Sequence, residues 1–325
     1  MYKFLKYSLL LTAALPIYSF ASNVLNVYTY SSFIDNGGPG KTLAKIFQKQ
    51  TGVKVNFKSF GSFGITLDHV YLFSKNSNAD VVLGFSSSYL QKASRSNLFL
   101  KLNPSILNSI NLPIKWTNST FIPYDYSYMS FNYQGDLTLP NTLQKLIYDK
   151  DIPIIYQNPQ TSSLGRSFIS LINSTFPKSE QPAIYKELAK HTREIATSGT
   201  QSYEALMHTK NVLVFGYSTT PYYLNYQNSN NHYKALFLKS GNIVQFEYGA
   251  ILKSSKNKKA ALEFIKFLLS KKAQAIISKD NVMLSVTKGA TYKPFKTIVS
   301  GQYKAIYPSI NLSSQNAISI WETNA

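Results

Sequence analysis

The sequence predicts a mixed α/β protein of two lobes, each built on a doubly wound parallel sheet, with hinge strands joining them. Three observations support this fold class. Strand-like and helix-like segments alternate through both halves of the chain, with glycine-rich or polar loops between them. Roughly 300 residues follow an N-terminal export signal, which is more than one core usually holds. Two long segments, residues 116–133 and 242–252, alternate in a way that suits crossings between lobes.

The first 21 residues have the features of an export signal peptide. Lys3 and Lys6 give a basic start, residues 7–20 are mostly apolar, and Ser19 and Ala21 supply small residues for cleavage after Ala21. The apolar stretch is shorter than the ~20 residues of a membrane-spanning helix, and no later segment is long and apolar enough. The chain has no cysteine, which excludes disulfides and a cysteine-linked lipid anchor. We therefore expect a soluble, exported protein.

The first lobe is expected to comprise residues 22–120 and 247–325. Its pattern begins with a strand, a helix that ends before Gly52, and two further strands, at residues 24–30, 41–50, 53–57 and 79–84. Glycine-rich loops follow the first strand and the second, and the second loop contains Gly61, Phe63 and Gly64. This order is typical of a parallel sheet with helices on its faces.

The second lobe is expected to comprise residues 121–246. A buried strand over residues 152–156 runs into a polar loop, and a helix follows at about residue 164; the loop contains Thr161, Ser162 and Ser163. A second buried strand, residues 212–217, runs into a short helix through Ser218, Thr219, Thr220 and Pro221. Such corners direct backbone N–H groups and hydroxyls towards a small ligand, often an anion.

The charge is strongly positive, with 34 lysines and arginines against 15 carboxylates and a formal net charge of +19. The lysines are scattered along the chain, and no motif interleaves basic and aromatic residues as RNA-binding modules do. We therefore expect no nucleic-acid partner. The charge indicates either a mild preference for anionic ligands or a contribution to solubility.

The sequence offers no pattern typical of an enzyme or a metal site. The four histidines are isolated from metal-ligand and base partners, no thiol exists, and no Gly-x-Ser-x-Gly motif occurs. Carboxylates are few, and none form an obvious acid–base pair. We expect neither catalysis nor a bound cofactor or metal.

Five stretches, in order along the chain, resemble the thiamine-binding periplasmic proteins of bacterial ABC importers. They are residues 27–30 (VYTY), 76–84 (NSNADVVLG), 120–126 (TFIPYDY), 155–159 (IYQNP) with Thr161 and Ser162, and 217–221 (YSTTP). The resemblance covers essentially the whole chain after the signal. It implies a two-lobed, type II-like periplasmic-binding fold that closes on thiamine or its phosphates and delivers them to an inner-membrane ABC permease. We expect a monomer in the periplasm, opening and closing about residues 124–128 and 245–249.

The resemblance also implies which residues bind the ligand. Tyr30 and Tyr223 would be aromatic walls for the ligand rings, and Phe63 with Gly64 would form the first-lobe contact. Polar contacts from the second lobe would come from two strand ends, which contain Thr161, Ser162, Ser163, Tyr217, Ser218, Thr219, Thr220 and Pro221. Hydroxyls and backbone N–H groups suit a phosphate, and aromatic faces suit a cationic thiazolium.

The sequence departs from the family at two features of the pocket. Members place a carboxylate beside the first-lobe glycine, where this chain has Phe63, and Asp68 lies one helical turn further on. The family's pocket tryptophans are also replaced, since Trp116 and Trp321 fall at scaffold positions. Another small anionic or organic solute is therefore an alternative to thiamine.

A further alternative is ferric iron, because the adjacent Tyr222 and Tyr223 are similar to the tyrosine pair of ferric-binding members of the superfamily. The loop after the first strand, however, contains no histidine, and a hard-cation site would want nearby carboxylates.

Overall fold

The computed structural model describes residues 24–61, 63–73, 77–149, 151–308 and 315–325. The predicted signal peptide, residues 1–21, lies outside the described residues. No helix in the described ranges combines the length and the apolar character needed to cross a bilayer.

The strands within these ranges are β1 (Val24–Thr29), β2 (Lys54–Ser59), β3 (Val81–Ser86), β4 (Ile122–Gln134), β5 (Ile154–Gln157), β6 (Thr192–Ala196), β7 (Leu213–Tyr217), β8 (Tyr233–Leu236), β9 (Asn242–Ile251), β10 (Leu284–Ser285) and β11 (Ala305–Ile306). The helices are α1 (Ser31–Ile34), α2 (Gly40–Thr51), α3 (Phe63–Leu72), α4 (Leu90–Arg95), α5 (Leu143–Tyr148), α6 (Ser163–Thr175), α7 (Gln181–Ala189), α8 (Gly199–His208), α9 (Thr219–Gln227), α10 (Lys258–Leu268), α11 (Lys271–Asp280), α12 (Lys296–Ser300) and α13 (Gln315–Asn324).

The first lobe is built on the parallel strands β2, β1 and β3, with β9 added antiparallel to β3. β3 is buried along its whole length, as expected for a parallel strand covered on both faces. Helix α2 directs Leu43 and Phe47 into the core and ends at Gly52, whose φ of 76° is the left-handed conformation that glycine adopts easily. The predicted parallel sheet and the predicted helix cap are both confirmed.

The second lobe has the same arrangement of parallel strands with one antiparallel strand added. Strand β5 pairs in parallel with β6 and with β7, and β4 adds antiparallel to β7. Helix α6 covers the sheet through an apolar face that includes Phe168 and Ile172. The sequence-predicted order of strand, polar loop and helix is confirmed at both corners of this lobe.

Strands β4 and β9 join the two lobes. They pair antiparallel with each other, and β4 continues on to pair with β7 and β8 of the second lobe. The strand predicted from residue 116 begins only at Ile122. The reason is a turn in which Trp116 Nε1 donates hydrogen bonds to the carbonyl oxygens of Asn118 and Phe121, at 2.8 and 3.0 Å.

Each lobe has its own hydrophobic core. Helix α13 differs from the expected division of the chain, which assigned residues 247–325 to the first lobe. Its buried residues Ala317, Ile318 and Trp321 belong to the second core instead. Trp321 Nε1 donates a hydrogen bond to Tyr156 Oη at 3.0 Å, which anchors the helix to β5.

Candidate ligand-binding cleft

A cleft of about 600 Å³ lies between the two lobes. Its walls come from the carboxyl ends of strands in both lobes, because β1, β2 and β3 end on one side and β5, β6 and β7 on the other. Ligands of open α/β sheets usually bind at this end of the strands. The sequence expectation that loops of two facing lobes line one cleft therefore agrees with the geometry.

Tyr30 and Gly64 both line the first-lobe wall of the cleft. Gly64 lies in the first turn of helix α3 against the ring of Tyr89, and a Cβ at this position would lie 2.6 Å from Tyr89 Oη. The absence of a side chain therefore allows Tyr89 to reach the cleft. The side chain of Phe63 lies outside the described part of the structure, so its predicted contact stays a prediction.

The floor of the cleft is a hydrogen-bonded cluster around Glu247, which is partly exposed to the cleft. Glu247 Oε2 accepts hydrogen bonds from Tyr30 Oη at 2.6 Å and from Tyr124 Oη at 2.7 Å. Asn281 Nδ2 lies 3.3 Å from the same oxygen and donates to Asp125 Oδ2 at 2.7 Å. The hydrogen bond to Glu247 thus fixes the position of Tyr30, which lines the cleft.

A β-bulge in β4 creates this arrangement. Pro123 pairs with Tyr248 and Asp125 pairs with Glu247, so Tyr124 is the extra residue between them. The bulge lets two consecutive residues of β4 approach Glu247, one through its hydroxyl and one through its carboxyl. Bulges commonly redirect side chains beside functional sites.

Burial dominates the electrostatics of the floor. It raises the pKa of the Asp125 carboxyl well above its usual range, and the adjacent charge of Glu247 adds to the rise. Burial also raises the pKa of Glu247, while its hydrogen bonds from Tyr30 and Tyr124 oppose that change. The pKa of Tyr217 is raised as well, by burial and then by the two carboxylates. The tyrosines of the floor are therefore neutral hydroxyls at physiological pH.

Thr161, Ser162 and Ser163 line the opposite wall at the start of α6, and their contact with a ligand stays a prediction. Ser162 caps the helix, since its Oγ accepts hydrogen bonds from the N–H groups of Leu164 and Gly165, at 3.1 and 3.5 Å. The start of α8 lines the same wall through residues 197–199. Two helix N-termini with their partial positive charge therefore face the cleft.

Two buried glutamine side chains add hydrogen-bond donors to the lining. Gln157 and Gln245 are each 2% exposed and line the cleft. Their carbonyl oxygens accept from Ser162 and Ser167, whereas neither Nε2 has a hydrogen-bond partner within the described residues. A buried amide N–H without a partner is costly, so a ligand that accepts from these groups would recover that energy.

The corner after β7 contributes less to the cleft than the sequence suggested. Tyr217 lines the cleft, but Ser218 and Thr219 are fully buried and face Ser127 of β4, with hydroxyl oxygens 3.3 and 3.5 Å from its Oγ. Because α9 begins at Thr219, these side chains turn inward within one residue of the strand end. Thr220 lines a neighbouring cavity of about 240 Å³.

Pro221, Tyr222 and Tyr223 do not line the cleft. Pro221 is buried in α9, and both tyrosines pack against the core of the first lobe. Across the described ranges, no group of three or more histidines or carboxylates is placed to hold a metal ion. The tyrosine pair therefore does not share the cleft with Asp35 and Glu247, the carboxylates that line it.

The sequence interpretation missed Glu247, Gln245 and Asn281. A signal for the first two was present, since they are the polar residues at alternate positions of an otherwise apolar crossing strand, and so share one face. The carboxylate that was considered, Asp68, is exposed and forms an ion pair with Lys92 outside the cleft.

The charged side chains that line the cleft are both acidic. Among the described residues these are Asp35 and Glu247, and no lysine, arginine or histidine lines it, despite the net charge of +19. Arg166 lies over the ring of Tyr89, 5.6 Å from its centroid, but its guanidinium donates to backbone carbonyl oxygens of the 159–160 loop. The cleft therefore has the opposite sign from the protein as a whole.

Comparison with known proteins agrees with this architecture. The chain is similar to the thiamine-binding periplasmic protein of Haemophilus influenzae, with 33% identity over 329 residues that cover 99% of this chain and 98% of the relative. It is 31% identical to the protein of the same name from Escherichia coli, over 86% of this chain and 85% of the relative.

Solved structures show the same fold. A periplasmic thiamin binding protein superimposes with a TM-score of 0.81 at 28% identity, over 93% of this chain and 96% of that one. Iron-bound HitA from Pseudomonas aeruginosa, at 20% identity and a TM-score of 0.76 over 93% and 99% of the two chains, shares the fold. The family described as bacterial extracellular solute-binding protein matches residues 25–280. The chain therefore belongs to the bacterial extracellular solute-binding proteins.

Proposed function

We propose that this protein binds thiamine or a thiamine phosphate in the cleft between its lobes and delivers it to an inner-membrane ABC permease. It does so as a periplasmic monomer, after export and removal of residues 1–21. The names of its relatives support this ligand, and membership of a solute-binding family supports a transport role without catalysis. Thiamine is cargo in this proposal, and no cofactor is required.

The observation that carries the proposal is the sign of the charges in the cleft. Asp35 and Glu247 are carboxylates, and Tyr30, Tyr89 and Tyr217 add aromatic side chains. Carboxylates attract a cation through Coulomb forces, and aromatic faces attract it through their quadrupole. A cationic, aromatic solute such as thiamine fits this lining, whereas the overall positive charge suggested an anionic solute.

The second-lobe wall is suited to the other end of the ligand. Ser163 and Ser198 line the cleft there, at the starts of α6 and α8. Helix N-termini bind phosphate and hydroxyl oxygens through free backbone N–H groups. The hydroxyethyl group of thiamine, or a phosphate attached to it, would lie on this side.

The test is calorimetric titration of the refolded, ligand-stripped chain with thiamine and then with thiamine monophosphate. We expect submicromolar binding of at least one of them at a stoichiometry of one. Absence of heat with both would refute the proposed ligand. Titration with ferric citrate in parallel tests the iron alternative, for which a purple tyrosinate colour would be required.

A further inference from the structure

The floor of the cleft contains two carboxyl groups with different environments. Asp125 and Glu247 are paired residues of β4 and β9, and Asn281 Nδ2 bridges them. Glu247 reaches the cleft, whereas Asp125 is 0% exposed behind it. Two adjacent carboxyl groups in a site of low polarity do not both ionise easily, and they share protons as a pair.

The hydrogen bonds assign the charge to Glu247. All three donors that reach this residue meet at Oε2, from Tyr30, Tyr124 and Asn281. Several donors that meet at one oxygen stabilise an ionised carboxylate. Hydrogen bonds from hydroxyls to a charged carboxylate are short, and the distances from Tyr30 Oη and Tyr124 Oη to Glu247 Oε2 are 2.6 and 2.7 Å. Glu247 is therefore the negative member of the pair.

The proton is assigned to Asp125. Its Oδ2 accepts one hydrogen bond from Asn281, while its Oδ1 is buried without a hydrogen-bond partner in the described structure. An ionised carboxylate with an unsatisfied buried oxygen is far more costly than a neutral carboxyl. The direction of the Asp125 pKa, which burial raises, agrees with the neutral form.

The groups that face this pair are otherwise neutral or acidic. Tyr30 comes from the end of β1, Tyr124 from β4 and Tyr217 from β7, and burial raises the pKa of each. Asn281 follows α11 and carries no charge, and Asp35 lines the same cleft. Within the described residues no basic side chain is hydrogen-bonded or ion-paired to either carboxyl group, so the charge of Glu247 is left for a ligand.

An independent feature beside the pair points to a bound solute. Gln245 lies two residues before Glu247 on the same face of β9, is 2% exposed and lines the cleft. Its Nε2 has no partner among the described groups. A ligand with a positive group near Glu247 and a hydrogen-bond acceptor near Gln245 would balance the carboxylate charge and accept a hydrogen bond from Gln245 Nε2.

We propose that Glu247 is the residue that selects a cationic ligand, and that Asp125 behind it holds a proton in the ligand-free protein and releases it to solvent when the cation binds. The Asp125 O–H bond breaks, the proton passes to the buffer, and no covalent bond to the ligand forms. In the fraction of molecules that lose this proton, two ionised carboxylates balance the ligand's positive charge. This inference rests on the proposed function, because it names the group that recognises the positive charge of that ligand.

Affinity should rise with pH, since a bound cation favours ionised carboxyl groups. Calorimetry in two buffers with different ionisation enthalpies, between about pH 5 and 8, measures the protons released. We expect wild type to release a fraction of one proton per thiamine that Asp125→Asn does not release. Protons released by the ligand's own groups are the same for both proteins. The difference in proton release between wild type and Asp125→Asn therefore measures the contribution of the Asp125–Glu247 pair.

Glu247→Gln keeps the shape of the side chain and removes its charge. Its affinity for thiamine should fall about 10- to 100-fold, as expected for loss of a charged hydrogen-bonding partner. Affinity for an uncharged isostere, in which a neutral aromatic ring replaces the thiazolium, should change less than about threefold. Asp68→Asn, which removes an exposed carboxylate outside the cleft, is the matched control and should bind thiamine as wild type does.

Equal loss for both ligands in Glu247→Gln, or equal proton release in wild type and Asp125→Asn, would overturn the inference. Infrared spectroscopy of the ligand-free protein detects the Asp125 proton without any ligand. We expect a protonated-carboxyl band at neutral pH in wild type and its absence in Asp125→Asn. If thiamine fails to bind wild type, the proposed function fails, and this band alone decides whether Asp125 carries the proton.

Discussion

Asp125 and Glu247 lie opposite each other on the two strands that join the lobes, and one amide group, Asn281 Nδ2, contacts both carboxyls. This pair connects the ligand site with the crossing strands, because Glu247 lines the cleft while Asp125 is buried between β4 and the segment after α11. The ligand site and the crossing strands therefore share these two carboxyl groups.

The first prediction concerns pH and stability. Because the folded-state pKa of Asp125 is raised, the folded chain keeps a proton that the unfolded chain loses, so this residue lowers the free energy of unfolding as pH rises above about 4. The slope is at most about 1.4 kcal/mol per pH unit. Asp125→Asn removes this contribution, so its free energy of unfolding should fall less steeply with pH. Urea titrations at several pH values measure this, and parallel curves for the two proteins would contradict it.

The second prediction compares the two hydroxyls that donate to Glu247. Tyr30 lines the cleft, where water can replace a lost hydroxyl, whereas Tyr124 is 1% exposed. Removal of a buried donor to a charged group costs about 1.5 to 3 kcal/mol. Tyr124→Phe should therefore lower the free energy of unfolding more than Tyr30→Phe, as measured by chemical denaturation. Equal losses would show that the two hydroxyls are equally buried in solution.

The third prediction concerns the cap of α6. Ser162→Ala removes the oxygen that accepts from Leu164 N and Gly165 N, so the free energy of unfolding should fall by about 1 kcal/mol. Ser162→Thr retains a capping hydroxyl and serves as the control.

The same variant also tests the position of the phosphate. If the phosphate lies at this wall, Ser162→Ala should weaken the binding of thiamine monophosphate more than the binding of thiamine in calorimetric titrations. An equal effect on both ligands would place the phosphate elsewhere.

The fourth prediction concerns close packing at Gly64. In Gly64→Ala the new Cβ would lie 2.6 Å from Tyr89 Oη, so the tyrosine must move in the cleft. Displacement of a side-chain end is inexpensive for folding, but a cost of about 1.4 kcal/mol in the bound state would lower affinity tenfold. Adding Tyr89→Phe removes the clashing hydroxyl, and the next ring atom is 3.3 Å away. The double variant should bind thiamine more tightly than Gly64→Ala alone, and failure of this rescue would contradict the packing explanation.

The fifth prediction concerns closure. If the lobes close on the ligand about residues 124–128 and 245–249, thiamine should reduce the radius of gyration measured by small-angle scattering. An unchanged radius at saturation would argue against a hinge in these strands.

Local patterns in the sequence were enough to predict most of the fold. The parallel strands, the α2 cap at Gly52 and the polar N-terminus of α6 all depend on short-range chemistry, and each is confirmed. The packing of α13 was not predictable in this way, because it depends on a contact between Trp321 and Tyr156, which are 165 residues apart.

The lining of the cleft was predicted only in part, because side-chain directions also depend on more than the local sequence. Tyr30, Gly64 and Ser162 lie at loop or helix starts, where position along the chain determines the wall they line. Ser218 and Thr219 were expected in the cleft because they follow a strand, but the immediate start of α9 turns them towards β4. Which face of a corner a side chain occupies depends on φ and ψ rather than on residue type.

Whether the cleft holds thiamine or a thiamine phosphate can be decided by identifying the solute that the protein retains from the cell. The protein would be purified natively from the periplasm of thiamine-supplied bacteria, and the small molecules released on denaturation would be measured by mass spectrometry. We predict a near-stoichiometric amount of thiamine or its phosphates from wild type and much less from Glu247→Gln. A stoichiometric amount of a different solute would contradict the proposed ligand.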